Sequence, residues 1–88
     1  MARFEIFIKP SAVKELEVIP RKKDRQRVTN RILGLAENPR PPGFQKLSGR
    51  ERYRLRQGVY RIIYSVRDER LIVIVIKVGH RKEVYRRA

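Results

Sequence analysis

Residues 51–66 read ERYRLRQGVYRIIYSV, and the fold turns on how this stretch doubles back on itself. From Arg52 the residues alternate Arg, Tyr, Arg, Leu, Arg. That period of two puts Arg52, Arg54 and Arg56 on one face of a strand and Tyr53 and Leu55 on the other. Gln57-Gly58 is expected to form the turn, since Gly accepts the positive φ of a tight hairpin, and Val59 to Val66 is β-branched and aromatic enough to return as the second strand. A loop of two or four residues then sets Arg54 opposite Arg61 and Arg56 opposite Val59. Like charges facing each other across strands cost a few tenths to about 1 kcal/mol. An anion between them would relieve that cost, whereas a merely solvated basic face is the plainer alternative.

Downstream, Arg67-Asp68-Glu69-Arg70 reads as a charged hairpin loop and Leu71 to Val78 (LIVIVIKV) as a strand. It is apolar on both alternating sets, so it is expected to be central in the sheet and covered on both sides. With a four-residue loop Arg61 pairs with Ile76, and the parity of Ile74, Ile76 and Val78 runs on to His80 beside the arginine face. Past Gly79 come His80, Arg81, Lys82, Glu83, Val84 and Tyr85, so a His, an Arg and a Tyr fall close together.

Upstream, Arg3 to Lys9 (RFEIFIK) alternates Phe4, Ile6 and Ile8 against Arg3, Glu5, Phe7 and Lys9, an opening strand with one buried face. Ser11 stands where an N-cap belongs, and Val13, Leu16 and Ile19 recur at helical spacing until Pro20. A longer basic helix is expected from Arg21 to about Glu37, with Val28, Ile32, Leu35 and Ala36 on its buried stripe; Gly34 weakens it by about 1 kcal/mol relative to Ala. The break between the helices is short, which implies an antiparallel hairpin lying on the sheet. The charged outer faces of these helices read as solvated surface. Asn38 to Gly43 (NPRPPG) cannot continue a helix and is a connector. Phe44 to Leu47 is a candidate short strand, and the turn from Ser48 to Glu51 presents Lys46 and Arg50 near the hairpin. The expected fold is α+β: one domain over residues 1–88, with an N-terminal strand, a helical hairpin and a mostly antiparallel twisted sheet of four to five strands with a basic concave face.

The chain has 88 residues, with 23 Lys and Arg against 9 Asp and Glu, a formal charge of +14. Such an excess seeks a polyanion, and nucleic acid is the expected one, because each neutralised phosphate releases counterions. An anionic membrane surface is possible but lacks its usual helix, and the apolar run from Leu71 to Ile76 is too short to span a bilayer. The N-terminus Met-Ala-Arg-Phe-Glu lacks the apolar region of a signal peptide, and no cysteine is present, so a soluble cytoplasmic protein is expected. One His, no Cys and scattered carboxylates argue against a metal site, and no cofactor is expected.

A phosphodiester of RNA can be cut without metal if its 2′-OH attacks the neighbouring phosphorus. The attacking proton must be removed, the leaving 5′-oxygen protonated and the added negative charge stabilised. Arginine suits the last task, since its planar fork donates bidentately to phosphate oxygens; Arg54, Arg61 and Arg81 are the candidates. For proton transfer the candidates are His80, which titrates near neutral pH, and Tyr85, whose anion nearby arginines would favour. A turn histidine and a core-packed tyrosine are the bland alternatives, and Tyr53, Tyr60 and Tyr64 read as packing residues. Spacing alone supports an anion site.

The order R-x-R-L-R, then Gly58-Val59-Tyr60-Arg61-Ile62-Ile63-Tyr64, then Val78-Gly79-His80-Arg81-Lys82-Glu83-Val84-Tyr85, after a strand and a helical hairpin, resembles the RelE branch of the RelE/ParE toxin superfamily over essentially the whole chain. The resemblance implies a microbial-RNase-like fold and the toxin of a type II toxin-antitoxin pair. Such a toxin enters the ribosomal A site and cleaves mRNA there as a metal-independent endoribonuclease, leaving a 2′,3′-cyclic phosphate and inhibiting translation. By position Arg61, Arg81 and Tyr85 match the arginine, arginine and tyrosine of RelE-type sites. Arg52 and Arg54 stand where that site often has lysines, and since arginine does not trade protons, the base would be His80 or Tyr85. The catalytic candidates are thus Arg54, Arg61, His80, Arg81 and Tyr85, and the RNA- or ribosome-binding candidates Lys46, Arg50, Arg52, Arg56 and Lys82. The implied partners are ribosome, mRNA and a cognate antitoxin with an acidic or amphipathic helical segment. The rival readings are a ParE-like gyrase inhibitor and an inactive basic nucleic-acid or ribosome-binding module.

Overall fold

The computed structural model describes residues 3–47 and 51–80. In chain order they form β1 (Glu5–Ile8), α1 (Pro10–Glu17), α2 (Lys22–Gly34), β2 (Gln45–Leu47), β3 (Arg52–Gln57), β4 (Tyr60–Arg67) and β5 (Ile72–His80), with a 3-10 turn at Asp68–Arg70. The five strands make one sheet in the order β1-β5-β4-β3-β2. β1 runs parallel to β5 and every other pair is antiparallel, which is the expected α+β arrangement.

Both helices cover the same face of the sheet. Ala12, Ile19, Val28, Ile32 and Leu35 pack there on Tyr53, Leu55, Ile62, Tyr64, Val66, Val73, Val75 and Val78. Ile32 and Leu35 are sealed completely, and each such side chain contributes about 1.5–3 kcal/mol over leaving it exposed. The alternation within β1 holds, with Phe4, Ile6 and Ile8 packed on this core.

The helix ends differ from expectation. α1 starts at Pro10 with Lys9 as N-cap, so Ser11 lies inside the helix; the locked φ of proline suits the first helical position and its missing N–H costs nothing there. The shifted start turns Ala12, fully buried, towards the core and leaves Val13 37% exposed. α2 stops at Gly34, short of Glu37, although Leu35 and Ala36 still enter the core beyond its end.

β4, the middle strand, is the one sealed on both faces, with Arg61 to Tyr64 all buried. β5, expected in that place, is flanked by β1 and β4 but covered on one face. Val73, Val75 and Val78 are buried, whereas Ile72, Ile74 and Ile76 stay half-buried on the side away from the helices. Where β1 ends, Glu15 of α1 takes over the edge of β5: it accepts from the Val78 amide at 3.0 Å and from Lys77 Nζ at 2.6 Å. At the other end of the sheet Arg40 anchors the proline-rich connector. It donates to both Asp68 oxygens, at 3.0 and 2.8 Å, and to the Tyr53 hydroxyl at 3.2 Å. Among the described residues no helix is long and apolar enough to cross a membrane.

Candidate functional site

The face of the sheet away from the helices carries the arginines. In β3, Tyr53 and Leu55 are buried in the core while Arg52 and Arg54 are half-buried and Arg56 exposed, so the alternation read from the sequence holds. The pairing register does not. Arg56 lies opposite Arg61, Arg54 opposite Ile63 and Gln57 opposite Tyr60, which makes the loop Gly58-Val59 rather than Gln57-Gly58. Gly58 has φ +61° and takes the first loop position, the place where a two-residue hairpin loop of this kind demands glycine. The slip is by two residues, and two is the side-chain period of a strand, so Arg54, Arg56 and Arg61 still share a face.

Arg61 is the most enclosed charge described, 4% exposed, with Nη1 3.5 Å from the Tyr60 carbonyl oxygen. Its cross-strand neighbours are Arg56 on one side and Gly79 on the other, and Gly79 brings no side chain. Arg54 Nη2 donates to Gln45 Oε1, because β2 sets Gln45 directly opposite Arg54. A guanidinium row of this kind, partly withdrawn from water, interacts with phosphate more strongly than solvated cations do, since the local dielectric is lower.

His80 is not part of this face. The β4–β5 loop does have four residues, Asp68 to Leu71, but it begins one residue later than expected, at Asp68. A bulge follows, in which Ile76 is skipped between the pairs Tyr64–Val75 and Ile63–Lys77. One extra residue reverses the parity of everything after it. Arg61 therefore pairs with Gly79 rather than Ile76, and His80 pairs with Tyr60, its ring edge-on at 6.0 Å between centroids. His80 lines a cavity of about 360 Å³ with Glu15, Val18, Ile19 and Pro20, on the helix side of the sheet.

Lys46 also departs from the arginine face. It pairs with Tyr53 and so leaves the sheet on the helix side, whereas Gln45 and Leu47 share the side of Arg54 and Arg52. Of the remaining candidates, Arg52, Arg54, Arg56 and Arg61 are brought together, and Arg50, Arg81, Lys82 and Tyr85 lie outside the described residues. Two residues beside the face were not singled out from the sequence. Gln45 carried no signal, and Arg31 of α2, read as surface, borders a cavity with Arg54 and Arg56.

The latch around Arg40 shifts three titrating groups. Hydrogen bonds to Asp68 and Tyr53 raise the Arg40 guanidinium further above its ordinary value. The Arg40 hydrogen bonds hold the Asp68 carboxyl below the usual carboxylate range. Burial pushes the Tyr64 phenol up to about 12, and its hydroxyl donates to the Pro39 carbonyl at 2.7 Å.

Comparison with known proteins gives this arrangement a family. Residues 6–85 match the family model described as the ParE toxin of the type II toxin-antitoxin system, parDE. Toxin RelG of Mycobacterium tuberculosis is 44% identical over 32 residues, 36% of this chain; the match spans just 37% of that toxin's length. Among solved structures, the archaeal RelE-RelB complex from Pyrococcus horikoshii is similar at 30% identity and a TM-score of 0.80, over 92% of this chain and 97% of that one. A free double mutant of the E. coli toxin RelE is similar at 33% identity and a TM-score of 0.73, over 97% of this chain and 92% of that one. With both the family model and these near-complete alignments, this chain belongs to the RelE/ParE superfamily of type II toxin-antitoxin toxins.

Proposed function

We propose that this toxin is a ribosome-dependent endoribonuclease that cleaves mRNA in the A site by metal-free attack of a 2′-OH on the adjacent phosphorus. The observation that carries the reading is the shared face of Arg52, Arg54, Arg56 and Arg61, with Arg56 directly opposite the enclosed Arg61. Set side by side, like charges repel; around the phosphorane-like transition state, which gains a negative charge, the same repulsion becomes stabilisation.

In this scheme the 2′-oxygen forms a bond to phosphorus as the bond to the 5′-oxygen breaks, leaving a 2′,3′-cyclic phosphate and a 5′-hydroxyl. Arg61 and Arg54 hold the non-bridging oxygens. His80 pairs with Tyr60 on the other side of the sheet, so this reading gives it no proton-transfer role. That role falls to Tyr85, which takes the 2′-OH proton while solvent water protonates the leaving 5′-oxygen, with Arg81 as a further clamp; both are assigned by their match to the RelE-type motif.

The partners in this reading are mRNA on the ribosome and an antitoxin. The solved complexes of RelE with RelB support the latter, and an acidic or amphipathic helical segment would suit a chain of charge +14. The experiment is toeprinting or end-mapping on purified ribosomes programmed with a short mRNA. Expected are A-site cuts that vanish in Arg61→Ala and Tyr85→Phe and persist in His80→Ala. The family model bears the ParE description, so a gyrase supercoiling assay belongs beside it. Inhibited supercoiling with uncut mRNA overturns the nuclease reading.

A further inference from the structure

β1 ends the sheet, and among the described residues its outer edge meets no further strand. The Glu5 amide donates to the Leu71 carbonyl at 2.8 Å and the Lys9 amide to the Val75 carbonyl at 3.0 Å, so the odd-numbered residues of this stretch turn their backbone groups to β5. The N–H and C=O of Ile6 and Ile8 therefore point outward. The chain leaving α2 meets this edge at Phe4, whose amide donates to the Ala36 carbonyl at 2.8 Å. Side chains follow the same period: Ile6 and Ile8 pack on the core, whereas Glu5, Phe7 and Lys9 are exposed, Phe7 by 58%. Phe7 lies opposite Ile74, on the side of the sheet away from the helices, where Ile72 and Ile74 are half-buried. An edge with outward ladder groups and an aromatic at its centre is one that folded proteins ordinarily cover.

We propose that this edge pairs with the same edge of a second copy of the chain, the two β1 strands running antiparallel about a two-fold axis at Phe7. The proposal does not depend on the RNA-cleaving reading above. Glu5-Ile6-Phe7-Ile8-Lys9 is self-complementary about its centre. Glu5 faces Lys9 of the partner subunit, Lys9 faces Glu5 of the partner subunit, and the two Phe7 rings meet on the axis. Hydrogen-bond parity selects the same register. An antiparallel ladder alternates bonded and non-bonded pairs, and side chains approach most closely in the non-bonded ones. Ile6 against Ile8 gives the bonded pairs, each contributing its N–H and C=O, and Phe7 the non-bonded one. A slip of one residue sets outward groups against inward ones. A slip of two in either direction brings Phe4 or Pro10 against an outward isoleucine, where one amide is already taken and the other is missing, and it unpairs the charges. The two-fold axis stands perpendicular to the joined sheet, so both arginine faces lie on the same side. With strands about 4.8 Å apart, the two β4 strands are roughly 24 Å from each other.

The test is sedimentation equilibrium of the full chain at low and high ionic strength, with amide exchange read over a series of protein concentrations. Expected is a dimer that strengthens as salt screens the repulsion between copies of charge +14. Exchange at Ile6 and Ile8 should slow as protein concentration rises, while the Glu5 and Lys9 amides, already bonded to β5, stay as they are. Glu5→Lys and Lys9→Glu each set like charges opposite one another and should weaken association about tenfold, and the double variant should restore it. Lys9→Glu also lowers the net charge, so a general relief of repulsion would move it the other way. Phe7→Thr, a good strand former at an exposed position, should weaken association as well. A monomer at every concentration and ionic strength overturns the proposal, as does a dimer indifferent to the charge exchange. Protection of Ile6 and Ile8 that does not vary with concentration also overturns it, by assigning the edge to a segment of the same chain. Protection found only in complex with an antitoxin overturns it in favour of an antitoxin strand.

Discussion

Arg56 stands directly opposite Arg61 across the β3–β4 ladder, one exposed and the other 4% exposed. Directly opposed pairs are the closest cross-strand neighbours a sheet offers, and two guanidinium groups there are a cost to folding. Replacing Arg56 with Thr, a good strand former, should therefore raise stability by a few tenths to about 1 kcal/mol. The gain should be largest at low salt, and RNA binding should weaken in parallel. Urea unfolding at two ionic strengths, with RNA titrations on the same samples, measures both effects. A variant that is less stable than wild type would contradict the pairing.

Glu15 takes the place of a missing strand at the β5 edge by accepting from the Val78 amide and from Lys77. Glu15→Ala leaves a partly buried N–H without its acceptor, which costs about 1–2 kcal/mol. The ion-pair share of that loss is small, since both side chains keep contact with water. Amide exchange should accelerate at Val78 and leave Val73 and Val75 unchanged, because their strand neighbours remain.

Asp68 links the β4–β5 loop to Arg40, and its carboxyl is held below the ordinary range by those hydrogen bonds. A depressed folded value means that the unfolded chain binds the proton first as pH falls, so the contribution is complete above about pH 4. Below that it declines, and it is gone once pH passes the folded value. The stability difference between wild type and Asp68→Asn should be constant near neutrality and shrink in acid. Chemical unfolding followed from pH 7 downward checks this, and a difference that widens in acid would count against the latch.

Tyr64 presents the opposite case. Its phenol is raised to about 12 by burial, above the ordinary value of 10.0, so the native state keeps its proton longer than the unfolded one does. Stability tied to this group is whole below pH 10 and is lost as pH climbs through the folded value. Tyr64→Phe should flatten that alkaline decline while costing about 1 kcal/mol at neutral pH for the hydrogen bond to Pro39. Alkaline unfolding curves of the two proteins separate the contributions.

The alternation of Arg52 to Arg56, the buried stripe Val28-Ile32-Leu35 and the excess of positive charge were legible without coordinates, because each is a local property. Strand and helix periods are set by backbone geometry, and a chain that must bury one face writes that face into its spacing. From these follow the α+β class and a basic sheet face, and with them the expectation of an anionic ligand. The two-residue error at the hairpin left the face intact for the same reason: the side chains of a strand repeat every second position.

Only the tertiary structure decided which side of the sheet His80 takes and which residues meet across it. The skipped Ile76 has no signature in LIVIVIKV, where every alternative register is equally apolar, so the bulge is chosen by packing and by the Glu15 contacts rather than by local preference. The meeting of Arg31 with Arg54 and Arg56 depends in turn on where the connector from α2 to β2 closes. Proximity between residues so far apart in sequence is a property of the folded core, and no short-range pattern encodes it.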